Sequence, residues 1–357
     1  MRTANYTMER NPRTNSKLSS LISRLTRAAD LSRDEAAELV NCLLSETATD
    51  GEIAAALVAW ANKGETVDEL IGCATAMRVN ALRINSRYES FLDTAGTGSS
   101  LVKTFNVSTA AAFVVAGAGV PVAKHGNRGV TSSTGSSDVL AALGVRINAL
   151  PETTEKCLKE LGICFMFAPL YHGSTKRVAA VRRELGIRTI FNLLGPLTNP
   201  AGAPFQIVGV SQPAQVEPLA KALSALGTKR AWVVHGRDGL DEVTLAETTL
   251  VAEACDGSVQ TFELSPEDFG MTRTSLKEFT CPDPETSAQI IREVLSERRQ
   301  GAARDLIVAN AAAALVVAGA TGTLIEARRL AESSIDSGAA ARKLSDLVVG
   351  SNAGLDV

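Results

Sequence analysis

From about residue 90 onward, the chain alternates between short apolar runs typical of β-strands, glycine-rich turns and alanine-rich helical patterns. Such alternation builds parallel sheets that are covered by helices. We therefore predict an α/β domain with a mainly parallel central sheet flanked by helices. The β-type runs are residues 91–92, 120–123, 205–210, 231–234 and 250–252, and helical patterns start at Ser108 and Ser136. Residues 164–168 form a short apolar run within a region that we expect to be helical.

The chain before residue 86 shows helical patterns throughout. Three start signals place a hydroxyl residue three positions before a Glu, as in a capping box: Ser32 with Glu35, Thr49 with Glu52, and Thr66 with Glu69. Helical patterns return between residues 153 and 185. We expect a flexible tail at 1–16, a small all-helical domain made from 17–85 and 152–192, and a larger α/β domain made from 86–151 and 193–357.

Composition excludes several classes of protein. The 357 residues carry 36 Lys plus Arg against 39 Asp plus Glu, so no overall basic field attracts nucleic acid. The six cysteines include no C-x-x-C pair. No apolar stretch reaches the ~20 residues that cross a bilayer, and the amino terminus lacks the apolar region of a signal peptide. We expect a cytoplasmic protein without nucleic-acid or membrane partners, in which any phosphate site is local.

Two loops have the composition of phosphate-binding segments. Residues 93–109, DTAGTGSSLVKTFNVST, match neither the Rossmann nor the Walker A pattern, but their amides are suited to surround an anion. Residues 124–138, KHGNRGVTSSTGSSD, combine glycines and hydroxyl groups with Lys124 and Arg128, which neutralise phosphate charge. The alternatives are a tight turn for the first loop and a solvated loop for the second.

Two further segments complete the candidate site. Asp238, Asp241 and Glu242 directly follow a β-type run, where a parallel sheet places ligands, and adjacent carboxylates suit Mg²⁺ that also contacts substrate phosphates. The alternative is a solvated acidic turn. Residues 182–200, RRELGIRTIFNLLGPLTNP, carry Arg182, Arg183 and Arg188. One of these arginines is suited to bind a carboxylate through two parallel hydrogen bonds, and the alternative is that all three are surface charges on a helix.

The three histidines offer no metal-ligand pair at helical spacing, and no Ser/His/Asp triad can be assigned. His125 and His172 are candidates for ligand contact, whereas His235 at a strand end suits a structural role. Together, these segments predict transfer of a sugar phosphate from a diphosphate donor to an acceptor that carries a carboxylate. Such chemistry needs magnesium, orientation and electrostatics but no covalent nucleophile.

Six ordered stretches resemble the anthranilate phosphoribosyltransferase family of tryptophan biosynthesis: DTAGTGS, TFNVST, KHGNR, STGSSD, LGIRTIFNLLGPLTNPA and HGRDGLDEVTL. The resemblance implies transfer from phosphoribosyl diphosphate to the amine of anthranilate, two Mg²⁺ ions, and a homodimer formed through the helical domain. It assigns no acid, base or nucleophile. Alternatives that stay open are another small aromatic acid as acceptor, a non-catalytic nucleic-acid-binding relative, and a nucleoside phosphorylase of the same fold.

The resemblance also implies site residues. For phosphoribosyl diphosphate these are Gly96, Ser99, Ser100, Thr104, Asn106, Val107, Ser108, Thr109, Lys124, His125, Gly126, Asn127, Arg128, Gly129, Val130, Thr131, Ser132 and Ser136. For anthranilate they are Gly96, His125, Asn127, His172, Arg182, Gly195 and Pro196, and for magnesium they are Ser108, Asp241 and Glu242.

The chain departs from the family pattern at several positions. Ser99 and Ser100 stand where the family usually has Gly-Asp, and Ser133 stands where Lys is common. Thr134 replaces a usual Ser or Cys, and Gly173 replaces the Pro that usually follows the histidine. The first change removes a carboxylate near the diphosphate, and the last lies beside the acceptor channel.

Overall fold

A computed structural model describes residues 16–98, 102, 104–129, 135–281 and 283–353, and it leaves out the side chains of residues 276 and 278. The helices are α1 (Ser16–Thr26), α2 (Arg33–Leu44), α3 (Asp50–Lys63), α4 (Val67–Val79), α5 (Val107–Gly117), α6 (Ser136–Ala142), α7 (Pro151–Leu161), α8 (Ala168–Tyr171), α9 (Lys176–Leu185), α10 (Phe191–Leu197), α11 (Val216–Ala225), α12 (Pro284–Leu295), α13 (Ala302–Val317), α14 (Leu324–Asp336) and α15 (Ala339–Asn352). The strands are β1 (Leu92–Gly96), β2 (Val122–Gly126), β3 (Ile163–Phe167), β4 (Phe205–Gly209), β5 (Arg230–Gly236), β6 (Thr249–Cys255) and β7 (Ser258–Leu264).

Among the described residues, the seven strands form one sheet in the order β3-β2-β1-β4-β5-β6-β7. Strands β1 to β5 pair in parallel, while β6 and β7 join antiparallel at one side. The mainly parallel α/β fold predicted from the sequence is confirmed. Because parallel strands end at the same edge, Gly96 lies level with Gly209, and Gly209 lies level with Val234. The loops that follow β1, β2 and β5 therefore open at the same edge of the sheet.

The amino-terminal helices begin where the sequence places their caps. Ser32, Thr49 and Thr66 each accept a hydrogen bond from the amide three residues later, and the Glu at that position bonds back to the cap amide. All three predicted capping boxes are present, so at each helix start two amide groups that lack a partner within the helix are hydrogen-bonded.

Two apolar clusters hold the layers of the fold together. One joins the amino-terminal helices, with Trp60 among them, to α9, α10, α11 and one face of β4 to β6. The other packs α5, α7 and α12 to α15 against the opposite face of the sheet. Among the described helices, none is long and apolar enough to cross a bilayer.

The segment at 152–192 divides between these two layers. Helix α7 packs on β3, which pairs with β2 at the edge of the sheet, whereas α9 and α10 pack against the amino-terminal helices. We therefore propose that the second helical segment starts near residue 168 instead of residue 152. Ser16 already belongs to α1, and the rest of the expected tail lies outside the described residues.

Candidate active site

A cleft of about 280 Å³ opens at the carboxyl edge of the parallel strands, between the sheet and helices α9 and α10. Four segments that are distant in sequence meet there. The predicted site residues that line it are Gly96, Thr104, Asn106, Val107, Ser108, Lys124, His125, Gly126, Asn127, Arg128, Gly129, Ser136, Arg182, Gly195, Pro196, Asp241 and Glu242.

The first loop runs from the end of β1 to the start of α5. The Ser108 amide donates a hydrogen bond to Glu242 Oε1 at 3.1 Å. This bond joins the start of α5 to the carboxylate loop, residues 237–248, which carries Asp241 and Glu242. Asn106 N donates to Ser287 Oγ at 2.9 Å. Thr109 is fully buried, does not line the cleft, and donates from Oγ1 to Asn106 Oδ1. Asn106 to Ser108 therefore face the cleft, while Thr109 supports them from behind.

Strand β2, at the start of the second segment, brings a buried lysine into the cleft. Lys124 Nζ donates to the carbonyl oxygen of Thr94 and, at 3.1 Å, to Thr94 Oγ1. Burial lowers the pKa of Lys124, whereas the carboxylates of Asp93 and Glu242 act in the opposite direction. Lys124 therefore places a buried amino group, with a pKa below its usual value, at the floor of the cleft.

Asp241 and Glu242 lie side by side in the loop that follows β5. Burial and the neighbouring Asp241 carboxylate raise the pKa of Glu242 to about 8. The β4 backbone passes so close to this loop that a Cβ atom on Gly209 would lie 1.7 Å from the carbonyl oxygen of Asp241. Asp238 does not line the cleft, because its carboxylate accepts hydrogen bonds from Leu240 N at 3.1 Å and from Thr244 Oγ1.

These residues fit a magnesium site that the substrate completes. The described residues contain no group of three or more His, Cys, Asp or Glu side chains arranged to hold a metal ion. They do place two adjacent carboxylates beside Ser108 in the cleft. Mg²⁺ typically takes one or two protein carboxylates together with phosphate oxygens and water. A cation there would also relieve the repulsion that raises the pKa of Glu242.

Helices α9 and α10 form the opposite wall of the cleft. Arg182 Nη2 donates to Asn192 Oδ1 at 3.1 Å, and the guanidinium lies 5.6 Å from the centre of the Phe191 ring. Arg182 Nε is buried without a hydrogen-bond partner among the described residues. A planar cation with an unused donor beside an aromatic ring is suited to an aromatic carboxylate.

The histidines have three different environments. His125 lines the cleft, and its Nδ1 lies 3.3 Å from the carbonyl oxygen of Gly195. Burial, followed by the neighbouring His172, lowers the pKa of His125 to about 3, so its ring is neutral at pH 7. His172 lies behind it, with the ring centres 5.3 Å apart, and does not line the cleft. His235 is buried, with Nδ1 2.8 Å from the carbonyl oxygen of Val210, as suits a structural residue.

Phe191 and Asn192 line the cleft although the sequence did not single them out. Their signal was present, because both lie in the TIFNLLGP stretch that adjoins the predicted Gly195 and Pro196. Five further predicted residues fall outside the described part of the chain: Ser99, Ser100, Val130, Thr131 and Ser132.

Comparison with known proteins gives two consistent results at the level of sequence. Residues 19–81 match the sequence model of the glycosyl transferase family helical bundle domain, and residues 88–341 match that of the glycosyl transferase family a/b domain. The anthranilate phosphoribosyltransferase of Moorella thermoacetica is 50% identical over 331 residues, covering 93% of this chain and 97% of the relative. That of Azorhizobium caulinodans is 49% identical over 327 residues, covering 92% of this chain and 94% of the relative.

Solved structures show the same likeness. The crystal structure of anthranilate phosphoribosyltransferase from Thermus thermophilus matches with a TM-score of 0.88 and 38% identity, over 93% of this chain and 99% of that one. The Saccharomyces cerevisiae enzyme, in complex with PRPP and Mg, matches with a TM-score of 0.86 and 27% identity, over 95% and 99%. The yeast enzyme in complex with 4-fluoroanthranilate matches with a TM-score of 0.84 and 26% identity, over the same shares of the two chains.

Proposed function

Because the chain belongs to the anthranilate phosphoribosyltransferase family, we propose that its cleft binds phosphoribosyl diphosphate on the sheet side and anthranilate on the side of α9 and α10. The chain transfers the phosphoribosyl group to the amine of anthranilate in tryptophan biosynthesis, releasing diphosphate. One observation carries the assignment of the site: the Asp241–Glu242 pair, the Ser108 amide, Lys124 and Arg182 all meet in one cleft.

The donor half of the cleft is suited to a diphosphate. Asp241, Glu242 and Ser108 would hold two Mg²⁺ ions. These ions would neutralise the charge on the departing diphosphate. The start of α5, where Asn106 and Ser108 line the cleft, presents the positive end of the helix dipole to the phosphate groups. Lys124 lies below the diphosphate, whose negative charge favours its ammonium form, and Ser136 together with residues 126–129 encloses the ribose phosphate.

The acceptor half is suited to a small aromatic carboxylate. Arg182 binds the carboxylate, and the Phe191 ring together with Pro196 and the neutral His125 ring encloses the aromatic body. His172 packs against His125 and fixes the orientation of that ring. Asn192 holds the Arg182 guanidinium in place through its side-chain oxygen.

The reaction forms one bond and breaks one bond at the anomeric carbon of the sugar. The amine nitrogen of anthranilate bonds to this carbon while the bond to the diphosphate oxygen breaks, and the amine proton leaves to solvent. An aromatic amine is neutral at pH 7 and nucleophilic without a base, so the side chains contribute position and electrostatic stabilisation.

Three further properties are part of the proposal. The family resemblance supports a homodimer formed through the helical domain, which sedimentation analysis would test. Scattered cysteines without paired spacing support a cytoplasmic location. The carboxylate pair supports two magnesium ions, since each carboxylate has its own oxygens to offer.

Loss of anthranilate fluorescence during turnover with phosphoribosyl diphosphate and Mg²⁺ tests the acceptor assignment. We expect Arg182→Lys to raise the KM for anthranilate by about tenfold with little change in the KM for the donor, because Lys lacks the planar fork. Arg183→Lys, one residue further on and exposed, is the matched control and should match the parent. Faster turnover of another aminobenzoate would assign a different acceptor, and an Arg182→Lys enzyme with unchanged KM would reject the carboxylate site.

A further inference from the structure

Helix α13 carries a polar residue at the centre of an apolar surface. Asn310 is 3% exposed, and its neighbours Val308, Ala309, Ala311 and Ala312 are fully buried. A buried amide group costs free energy unless its hydrogen bonds are made. The Asn310 amide must therefore form hydrogen bonds with a neighbouring group, which an apolar side chain at this position could not do.

The partner is the backbone of the residue that follows the carboxylate pair. Asn310 Oδ1 accepts a hydrogen bond from Val243 N at 2.9 Å, and Asn310 Nδ2 donates to Val243 O at 2.9 Å. Nδ2 also donates to the carbonyl oxygen of Leu306 at 2.9 Å, which fixes the amide on its own helix. Both backbone groups of Val243 are thus held by one side chain.

The loop needs such an anchor because residues 237–248 form neither helix nor strand. Asn310 does not line the cleft, but it lines a small internal cavity of about 10 Å³ together with Ser108 and Glu242. Its amide therefore contacts the loop from outside the cleft.

We propose that Asn310 is a positioning residue that sets the direction of the Asp241 and Glu242 carboxylates, and through them the affinity for the magnesium complex of the donor. The proposal rests on the proposed function of that carboxylate pair. Residues that orient metal-binding side chains typically change metal affinity ten- to a hundredfold when they are replaced. A purely structural residue would change stability without this specific effect.

Two variants remove the contact with Val243. Asn310→Ala deletes the whole amide, whereas Asn310→Ser keeps a hydroxyl that can bond the Leu306 carbonyl in its own helix but is too short to hold both groups of Val243. The serine variant therefore keeps the test available if the alanine variant does not fold. Ser334→Ala is the matched control: Ser334 is also 3% exposed and donates to a backbone carbonyl, that of Val114 at 2.7 Å, away from the cleft.

The experiment measures phosphoribosyl diphosphate binding by calorimetry over a series of Mg²⁺ concentrations, with thermal unfolding of each variant alongside. We expect both Asn310 variants to raise the Mg²⁺ concentration for half-maximal binding by about tenfold or more, and the KM for anthranilate at saturating donor to change less than about threefold. Ser334→Ala should leave the Mg²⁺ response within about twofold of the parent.

Two results overturn the proposal. One is a folded Asn310 variant whose Mg²⁺ response is within twofold of the parent, and the other is an equal loss in Ser334→Ala, which would trace the effect to general destabilisation. Failure of the proposed function is recognised separately, because the parent itself would then bind no donor at any Mg²⁺ concentration.

Discussion

Gly209 illustrates how a residue without a side chain can control a charged site. It ends β4 directly beneath the carboxylate loop, and a Cβ atom there would lie 1.7 Å from the carbonyl oxygen of Asp241 and 2.8 Å from its carbonyl carbon. Real atoms cannot approach so closely, so any other residue must displace the backbone that carries Asp241.

We therefore expect Gly209→Ala to reduce turnover by about a hundredfold, the scale of loss when reacting groups are misplaced by about 1 Å. Gly51→Ala in α3 is the control, because its nearest new contact is Thr49 Oγ1 at 4.0 Å. That variant should keep full turnover and gain up to about 1 kcal/mol of stability from the better helix propensity. Turnover in Gly209→Ala above half that of the parent would contradict this reading of the contact.

Asp93 links protonation to folding beneath the cleft. Its carboxylate accepts hydrogen bonds from His125 N at 3.1 Å and from Asn199 Nδ2 at 2.7 Å, yet burial raises its pKa from 3.8 to about 6. A carboxyl group with a raised pKa in the folded state binds more protons there than in the unfolded state. Its contribution to stability is therefore greatest below pH 3.8 and is lost as the pH rises to about 6.

The free energy of unfolding, measured with urea from pH 4.5 to 7.5, checks this sign. The parent should lose about 2 kcal/mol over that interval relative to Asp93→Asn, because the variant lacks the titrating group. If the free energy of unfolding of the parent, relative to Asp93→Asn, stays constant or increases as the pH rises, the pKa of Asp93 is not raised in the folded state.

At the scale of single elements, α10 is held by three others. It contains Pro196, and at its end Thr198 N donates to the carbonyl oxygen of Gly195 at 3.2 Å, while other carbonyl groups there accept from neighbouring elements. The carbonyl oxygen of Gly195 lies 3.3 Å from His125 Nδ1, that of Pro196 accepts from Gln206 Nε2 at 2.8 Å, and that of Leu197 accepts from Arg78 Nε at 2.7 Å. The acceptor wall is thus tied to β2, β4 and α4.

Arg78→Met tests this support, since methionine keeps the apolar stem but removes the donors to the carbonyl oxygens of Leu197 and Leu226. We expect a loss of about 2–3 kcal/mol in the free energy of unfolding and a rise of about tenfold in the KM for anthranilate, with a smaller change for the donor. Arg177→Met removes an exposed arginine that pairs with Asp50, and it should change stability by less than about 0.5 kcal/mol. Equal effects on both KM values would argue against a specific role for α10.

The elements differ in how far the sequence predicts them. Helix starts were predictable because a capping box is local, and all three that the sequence indicated are present. The strand β7 was not singled out, because it lies at the edge of the sheet and most of its side chains are polar and exposed. The contact of Asn310 with Val243 joins residues 67 positions apart, and a single asparagine in an apolar helix does not reveal its partner.

At the scale of the whole molecule, the sheet separates two apolar layers, and the cleft lies where the amino-terminal layer meets the carboxyl edge of the strands. The α/β class followed from the alternation of patterns, and the loops that converge in the cleft followed from the edge that parallel strands share. The contact between Arg182 and Phe191 could not be predicted from the sequence, because it depends on how α9 and α10 pack.

The central claim is that Asp241 and Glu242 bind the diphosphate donor through divalent cations. Calorimetry of phosphoribosyl diphosphate binding, with and without Mg²⁺, compares the parent with the double variant Asp241→Asn, Glu242→Gln, which preserves shape and removes charge. We predict that Mg²⁺ strengthens binding to the parent by at least about tenfold and has little effect on binding to the variant. An equal gain from Mg²⁺ in both proteins would contradict the claim.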